Sequence, residues 1–356
     1  MFIAMRRQCR VAGSTLRLEP AYDARLSFLH CGALIMHRLR VALAVLLTAV
    51  VTSAFAQEYP TRPVKIVVPF AAGGPADVYA RFIAQRLQEA MGQPFVVEDR
   101  PGGGSVVGTD IVAKSAPDGY TLLLMSNTHT VNESLMPGKP FQLMRDFTAI
   151  APINYSDLVL VVNPAVPAKT LQELIALAKA QPGKLNYASS GPGTPYHMAG
   201  ELFKASAGLD IVHVPYKESS GARTGVLGGQ VEMMFDAVTV MNEHVKAGKV
   251  RALATSGKAR SSVMPDVPTL NEAGVPGYDA VIWLGLIAPK GTPAAIVSKL
   301  NAAVTKIVSA PDVQADWAKQ GAVAMAMSPD AFERYLADDI VKWERIVKLS
   351  GARPDR

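Results

Sequence analysis

"PFAAGGPADVYA", Pro69 to Ala80, follows the apolar run Val64–Val68 and precedes the helical spacing of Tyr79, Phe82, Ile83 and Leu87. An apolar run followed by that spacing predicts a strand that turns directly into a helix. Gly73 and Gly74 permit positive φ and close backbone approach. Pro75 suits the first helical position, where its missing N–H costs nothing. Asp77 then falls in the first turn, where the helix dipole favours an acid. The junction reads either as ordinary capping or as a backbone cradle for a polar ligand group. It is not a phosphate loop, because no Gly-Lys-Ser/Thr follows. Asp77 also argues against a bare carboxylate seated directly on this helix, unless a water or a ligand donor lies between them.

The same alternation recurs along the chain. After a helix over 76–91 come a strand at Phe95–Glu98, a turn over Arg100–Gly104, a helical stretch from Ser105 to Ala113 and a strand at Tyr120–Met125. Leu158–Val162 reads as a continuous apolar strand with a helix at Leu171–Ala180 behind it. Asn186–Ser189, Ile211–Val214, Val231–Phe235 and Arg251–Thr255 read as further strands, and Asn301–Val308 and Phe332–Leu349 as closing helices. Short apolar strands between helices predict an α/β fold with mostly parallel sheets buried on both faces. The 356 residues suit two lobes better than one. Ligands in such folds sit where loops leave the carboxyl ends of strands. The Gly-, Ser- and Thr-rich strand ends at Phe70–Pro75, Pro101–Ser105, Ser126–Thr130 and Ser189–Thr194 therefore point to a cleft lined by helix N-termini.

The N-terminus reads as a leader. Met36–Arg40 is short and basic, Val41–Val51 is apolar, and Ala54-Phe55-Ala56 is a cleavage site, which makes Gln57 the first mature residue. Residues 1–35 read as an extension upstream of the true start, and 36–56 as the signal peptide. The whole chain carries 36 basic and 30 acidic residues, a net charge of +6. Past residue 56 it carries 29 basic and 28 acidic side chains, so the basic character belongs to the leader and nucleic acid loses its support as a partner. Cys9 and Cys31, the only cysteines, also precede the cleavage site, leaving the mature chain without a thiol, a disulfide or a cysteine metal site.

"YASSGPGTPYHMAGELF", Tyr187–Phe203, is a second cradle. Gly191 and Gly193 loosen the turn, Ser190 offers a hydroxyl, and Thr194 is placed to cap a helix. No acid follows until Glu201, so this turn suits a carboxylate directly. His197, in the first helical turn, either faces the cleft or packs inside. Ser126 and Thr128 follow the Tyr120–Met125 strand, and Asp236 ends another. Trp283 is either a core residue or a wall of the cleft. No Gly-x-Ser-x-Gly elbow and no His-Glu-x-x-His motif is present, and the histidines lack metal spacing, so neither a catalytic residue nor a metal site is expected.

At this point the motifs resemble a family. "YPTRPVKIVVPFAAGGPAD", "VVEDRPGGGSVVGTDIVAKSAPDGYTLL", "YASSGPGTPYHMAGELFK", "VPYKESSGARTGVLGGQVEMMFD", "VRALATSGKARSSVMPDVPTLNEAG" and "WLGLIAPKGTP" together resemble the substrate-binding receptors of tripartite tricarboxylate transporters, the Bug family. The resemblance runs from about Tyr59 to near the C-terminus. It implies a type II periplasmic-binding-protein-like fold, two α/β lobes with a ligand cleft between them. It places lobe 1 at 57–156 and 281–356, and lobe 2 at 157–280. In related receptors the loop matching Phe70–Asp77, including Ala72, and an opposing loop matching Ser189–His197 hold a ligand carboxylate through ordered waters. The strand-end acid of the family matches Asp236. Phe70, Tyr155, Tyr216 and Trp283 either face the cleft, where they would favour a ring in the ligand, or pack in the core, so aromatic, dicarboxylic and amino-acid ligands all stay open. Where the family often has Pro-Gly-Ala-Gly-Gly this chain has Pro101-Gly102-Gly103-Gly104-Ser105, and it lacks the usual Pro near Gly221 and Asp near Gly225.

The resulting expectation is a periplasmic solute-binding receptor, monomeric and without a cofactor. It would capture a small carboxylate for integral-membrane transporter subunits. The alternatives are a receptor docking to a membrane sensor kinase and, less favoured, an exported hydrolase.

Overall fold

Within residues 59–353, which the computed structural model describes, strands and helices alternate largely as the periodicity predicts. In order these are β1 (Val64–Val68), α1 (Pro75–Met91), β2 (Phe95–Asp99), α2 (Val106–Ala113), β3 (Thr121–Ser126), α3 (Asn127–Leu135), α4 (Leu143–Asp146) and β4 (Phe147–Val162). Next come α5 (Leu171–Ala180), β5 (Asn186–Ser189), α6 (Pro195–Ala207), β6 (Val212–Pro215), α7 (Ser219–Leu227), β7 (Met233–Ala237), α8 (Val238–Lys246) and β8 (Arg251–Thr255). The chain closes with β9 (Val281–Pro289), α9 (Ala294–Val308), α10 (Pro311–Ala318), β10 (Ala322–Ala324) and α11 (Pro329–Ser350). The leader at 36–56, the stretch at 1–35 and both cysteines lie outside the described residues. Among the described residues no helix is long and apolar enough to cross a membrane.

Helix α1 shows how local sequence sets these elements. It buries Tyr79, Ala80, Ile83, Ala84 and Leu87, a spacing that lines one helical face. Each large apolar side chain so buried contributes about 1.5–3 kcal/mol. The helix stops at Gly92, whose φ of 72° gives the left-handed cap that glycine adopts at least cost.

The sheets are mixed, where mostly parallel ones were expected. Among the named strands, parallel pairing is confined to β2-β1-β3 on one side and β6-β5-β7 on the other. Between these trios run β9 and the long β4, paired antiparallel to each other and to their neighbours. Strand β4 serves both sheets: Phe147–Asp157 pairs with β9, and Leu158–Val162 pairs with β7 and β8. Its sequence predicted only the second half. The first half carries Pro152, Asn154 and Tyr155, and its ladder slips between Ala149 and Ala151 and again between Pro152 and Asn154. Such bulges bend a strand and break its apolar alternation, which hides it from a pattern reading.

A two-lobe α/β architecture results, with apolar clusters on each side of the crossing. Ile66, Leu122 and Leu286 belong to a cluster on one side, and Leu160, Tyr187 and Phe235 to one on the other. Helix α11 serves both, with Leu336 packing on the first lobe and Trp343 in the core of the second. At the point where β4 changes sheets, burial pushes the Asp157 carboxyl up to about 6, with nearby Asp279 adding to the effect.

Candidate functional site

The turn after β1 is held by the acid that its sequence places in the first helical turn. Gly73 takes a φ of 76°, Gly74 caps the helix without a side chain, and Pro75 opens it. The Gly73 N–H donates to Asp77 Oδ2 at 2.8 Å. Arg81 Nε reaches Asp77 Oδ1 at 2.6 Å and its Nη2 reaches Asp99 Oδ2 at 2.9 Å. Asp77 therefore braces the turn from behind and lies off the cavity wall.

The turn after β5 repeats that plan. Gly193 has a φ of 73°, the Thr194 hydroxyl accepts from the His197 N–H at 3.4 Å, and Pro195 opens α6. The Gly193 N–H donates to His197 Nδ1 at 3.1 Å, so His197, like Asp77, holds its turn from inside. Behind it lies a buried aromatic stack, with His213 at 4.2 Å from His197 and 4.9 Å from Tyr187, ring centre to ring centre. Burial lowers His197 to about 4, with Lys204 contributing, and lowers His213 to about 3, with His197 next in importance. Both imidazoles are neutral at pH 7, so His197 Nδ1 is free to accept.

Two further turns complete one end of the cavity. Ser126 caps α3 by accepting from the Thr128 N–H at 3.2 Å, and His129 Nδ1 takes the Ser126 N–H. Ser105, which caps α2, holds a φ of 77° and is the only non-glycine with positive φ among the described residues. Strain of that kind costs on the order of 1 kcal/mol and persists at functional sites. Ser105 Oγ and Thr128 Oγ1 are both buried without a hydrogen-bond partner in the protein, and both residues line the cavity.

These turns enclose one cavity of about 580 Å³, within the few hundred to about a thousand Å³ usual for small-molecule sites. The predicted residues Phe70, Ala72, Gly73, Ser126, Thr128, Ser190, Gly191, Thr194 and Tyr216 line it together. Asp77, Gly193, His197, Asp236 and Trp283 do not. Trp283 is 1% exposed and donates its Nε1–H to Asp339 Oδ2 at 3.2 Å, among Phe332 and Tyr335. Its neighbours Ile282 and Leu284 line the cavity instead. Successive side chains of a strand face opposite ways, so the wall of β9 is read at even positions. Tyr155 likewise lies off the wall.

Sequence reasoning missed Arg223, Lys217, Glu218, Ser219 and Ser220, which line the wall from the loop before α7 and from its first half. Arg223 Nε donates to Asp236 Oδ2 at 2.9 Å, so the strand-end acid meets the cavity only through this arginine. Burial raises the Asp236 carboxyl, and the Arg223 guanidinium opposes that rise. The available signal was the departure at Gly221 and Gly225. A side chain at 225 would run into the Tyr216 hydroxyl, and one at 221 would touch its ring at 3.4 Å. Both glycines make room for Tyr216 to lie along α7.

The comparisons with known proteins agree in kind. Residues 79–352 match the family model described as "Tripartite tricarboxylate transporter family receptor". Protein BugT of Bordetella pertussis is 40% identical over 300 residues, which cover 84% of this chain and 92% of BugT. Among solved structures, an R. palustris protein described with adipate superposes with a TM-score of 0.80 at 34% identity, covering 83% of this chain and 100% of that one. MatC from Rhodopseudomonas palustris with bound malate gives 0.76 at 33% identity, covering 81% and 100%.

Proposed function

The chain belongs to the tripartite tricarboxylate transporter receptor family, and on that premise we propose that it is an exported receptor which captures a small organic acid for the membrane subunits of such a transporter. The observation that carries this reading is the cavity itself. Its wall is made of helix starts from both lobes, whose first N–H groups have no partner within the helix. The unpartnered hydroxyls of Ser105 and Thr128 add donors. Such dipoles replace the hydration shell of a carboxylate without a covalent step. Ordered water at the first turn reconciles a bound acid with the Asp77 charge behind it. The adipate and malate of the two solved neighbours set the scale of the ligand, a short-chain acid.

The finer features follow from the same reading. The leader is cleaved after Ala56, and the mature protein is a monomer that binds and releases without turnover. The Ser189–His213 pair, Oγ to Nε2 at 2.6 Å, sits off the cavity wall, where it steadies the Gly191 N–H and does not meet a substrate. We assign 59–156 with 281–353 to one lobe, its helix α11 reaching across to the core of the other, and 157–280 to the second lobe, with hinge motion at the crossing strands closing the cleft.

The test is mass spectrometry of acids released from protein purified without added ligand, followed by calorimetry of what is found. Thr128→Val removes an unpartnered hydroxyl at constant shape, so the fold should keep its melting temperature while affinity falls about tenfold. Ser105→Gly relieves positive-φ strain, so the melting temperature should hold or rise while affinity falls. Release of no acid, or binding indifferent to both variants, overturns the reading.

A further inference from the structure

We propose that Arg223 reads a second carboxylate on the ligand, so that the cavity selects diacids over monoacids of equal length. This rests on the reading of the cavity as a carboxylate site. Arg223 has 17% of its side chain exposed, lines the cavity from α7, and spends only Nε on Asp236. Its two Nη groups have no hydrogen-bond partner among the described residues. Asp236 is fully buried, and its other oxygen, Oδ1, accepts the Ala237 N–H at 2.8 Å. That arrangement fixes the guanidinium plane and leaves its outer edge for a ligand. A guanidinium edge matches a carboxylate in a two-point contact.

The remaining charges on the wall do not compete. Lys217 and Glu218 are adjacent and exposed, so they offset one another and are screened by solvent. The unpartnered hydroxyls of Ser105 and Thr128 supply neutral donors, suited to the first carboxylate. Arg223 is thus the one partly buried cation on the wall among the described residues. A ligand ending in a neutral group would leave it unmatched, whereas one ending in a second carboxylate would match it.

The experiment is calorimetry of the mature protein against a panel of short diacids, including adipate and malate, and the monoamide of each. Wild type is expected to prefer the tightest diacid over its monoamide by at least about tenfold, the worth of a charge-assisted hydrogen bond. Arg223→Gln should erase that preference and change monoamide affinity by less than about threefold. Arg223→Lys should restore part of it, keeping the charge but losing the fork. Because Arg223→Gln leaves a buried acid unpaired, the Arg223→Gln/Asp236→Asn double variant provides a neutral pair and must lose the preference equally. If wild type binds diacid and monoamide alike, or the preference survives in the double variant, the assignment of Arg223 is overturned and the carboxylate reading stands. If no acid of the panel binds, the carboxylate reading itself fails, and this inference with it.

Discussion

The turns Gly73–Asp77 and Gly193–His197 share one backbone plan and differ in their surroundings. Each has a left-handed glycine, a cap position, a proline at the first helical position and a side chain four residues on that accepts the glycine N–H. In the first turn Ala72 and Gly73 are exposed, and the acceptor is a carboxylate tied to Arg81. In the second, Gly193 to His197 are all buried, and the acceptor is a neutral imidazole inside an aromatic stack. A carboxylate is tolerable at the first because Arg81 pairs with it, whereas the second has a neutral acceptor and no such partner among the described residues, since burying an unpaired charge is costly. The two lobes thus present like geometry with unlike electrostatics.

The largest predicted difference lies at the glycines. A Cβ on Gly193 would fall 2.7 Å from Asn132 Oδ1 and 2.9 Å from a Leu135 methyl, while one on Gly73 would meet nothing within 4 Å. Gly193→Ala combines positive-φ strain with a clash and should cost about 3 kcal/mol, against about 1 kcal/mol for Gly73→Ala. Urea unfolding measures both, and equal losses would break the comparison.

Next are the acceptors. His197→Ala leaves the buried Gly193 N–H unpaired and should cost about 2 kcal/mol. Asp77→Ala frees an N–H on an exposed glycine, which water can satisfy, and should cost about 1 kcal/mol. Reversed costs would show that burial does not govern these turns.

Acid distinguishes the second turn further. His197 and His213 titrate near 4 and 3 in the fold, against about 6.5 unfolded. Between those values the unfolded chain binds more protons, so the stability contributed by the neutral imidazoles is complete above about pH 6.5 and is lost as pH falls toward 4. The melting temperature should decline across that window, to which His129, lowered by burial to about 4, also contributes, and His197→Gln should remove the share of this turn. An unchanged slope would place the acid sensitivity elsewhere.

The smallest effect sharpens the role of Arg81. It is more than half exposed, and exposed ion pairs contribute little. Arg81→Gln should therefore change stability by less than about 1 kcal/mol and leave the Gly73–Asp77 bond in place. A greater loss would make the arginine, rather than Asp77, the brace of that turn.

Much of the fold was legible because its signals are local. The glycine-proline turns, the helix over 75–91 and the apolar strands β1, β5 and β7 follow from residues within one or two turns of each other. The first half of β4 was not legible, because its bulges and polar residues are stabilised by pairing with β9, more than a hundred residues away. Choosing Trp283 over Ile282 and Leu284 required knowing which face of β9 meets the cavity, and strand parity is set by the neighbouring strands.

The sequence by itself determined the strand–turn–helix units, the conformations of their glycines and the motifs that mark the family. The tertiary structure alone decided which polar groups line the cavity. It turned Asp77 and His197 inward as braces, placed Ser189 on His213 across 24 residues and set Arg223 before Asp236 across 13. Backbone conformation is fixed by near neighbours, whereas the direction and charge state of a side chain depend on what the rest of the chain packs around it.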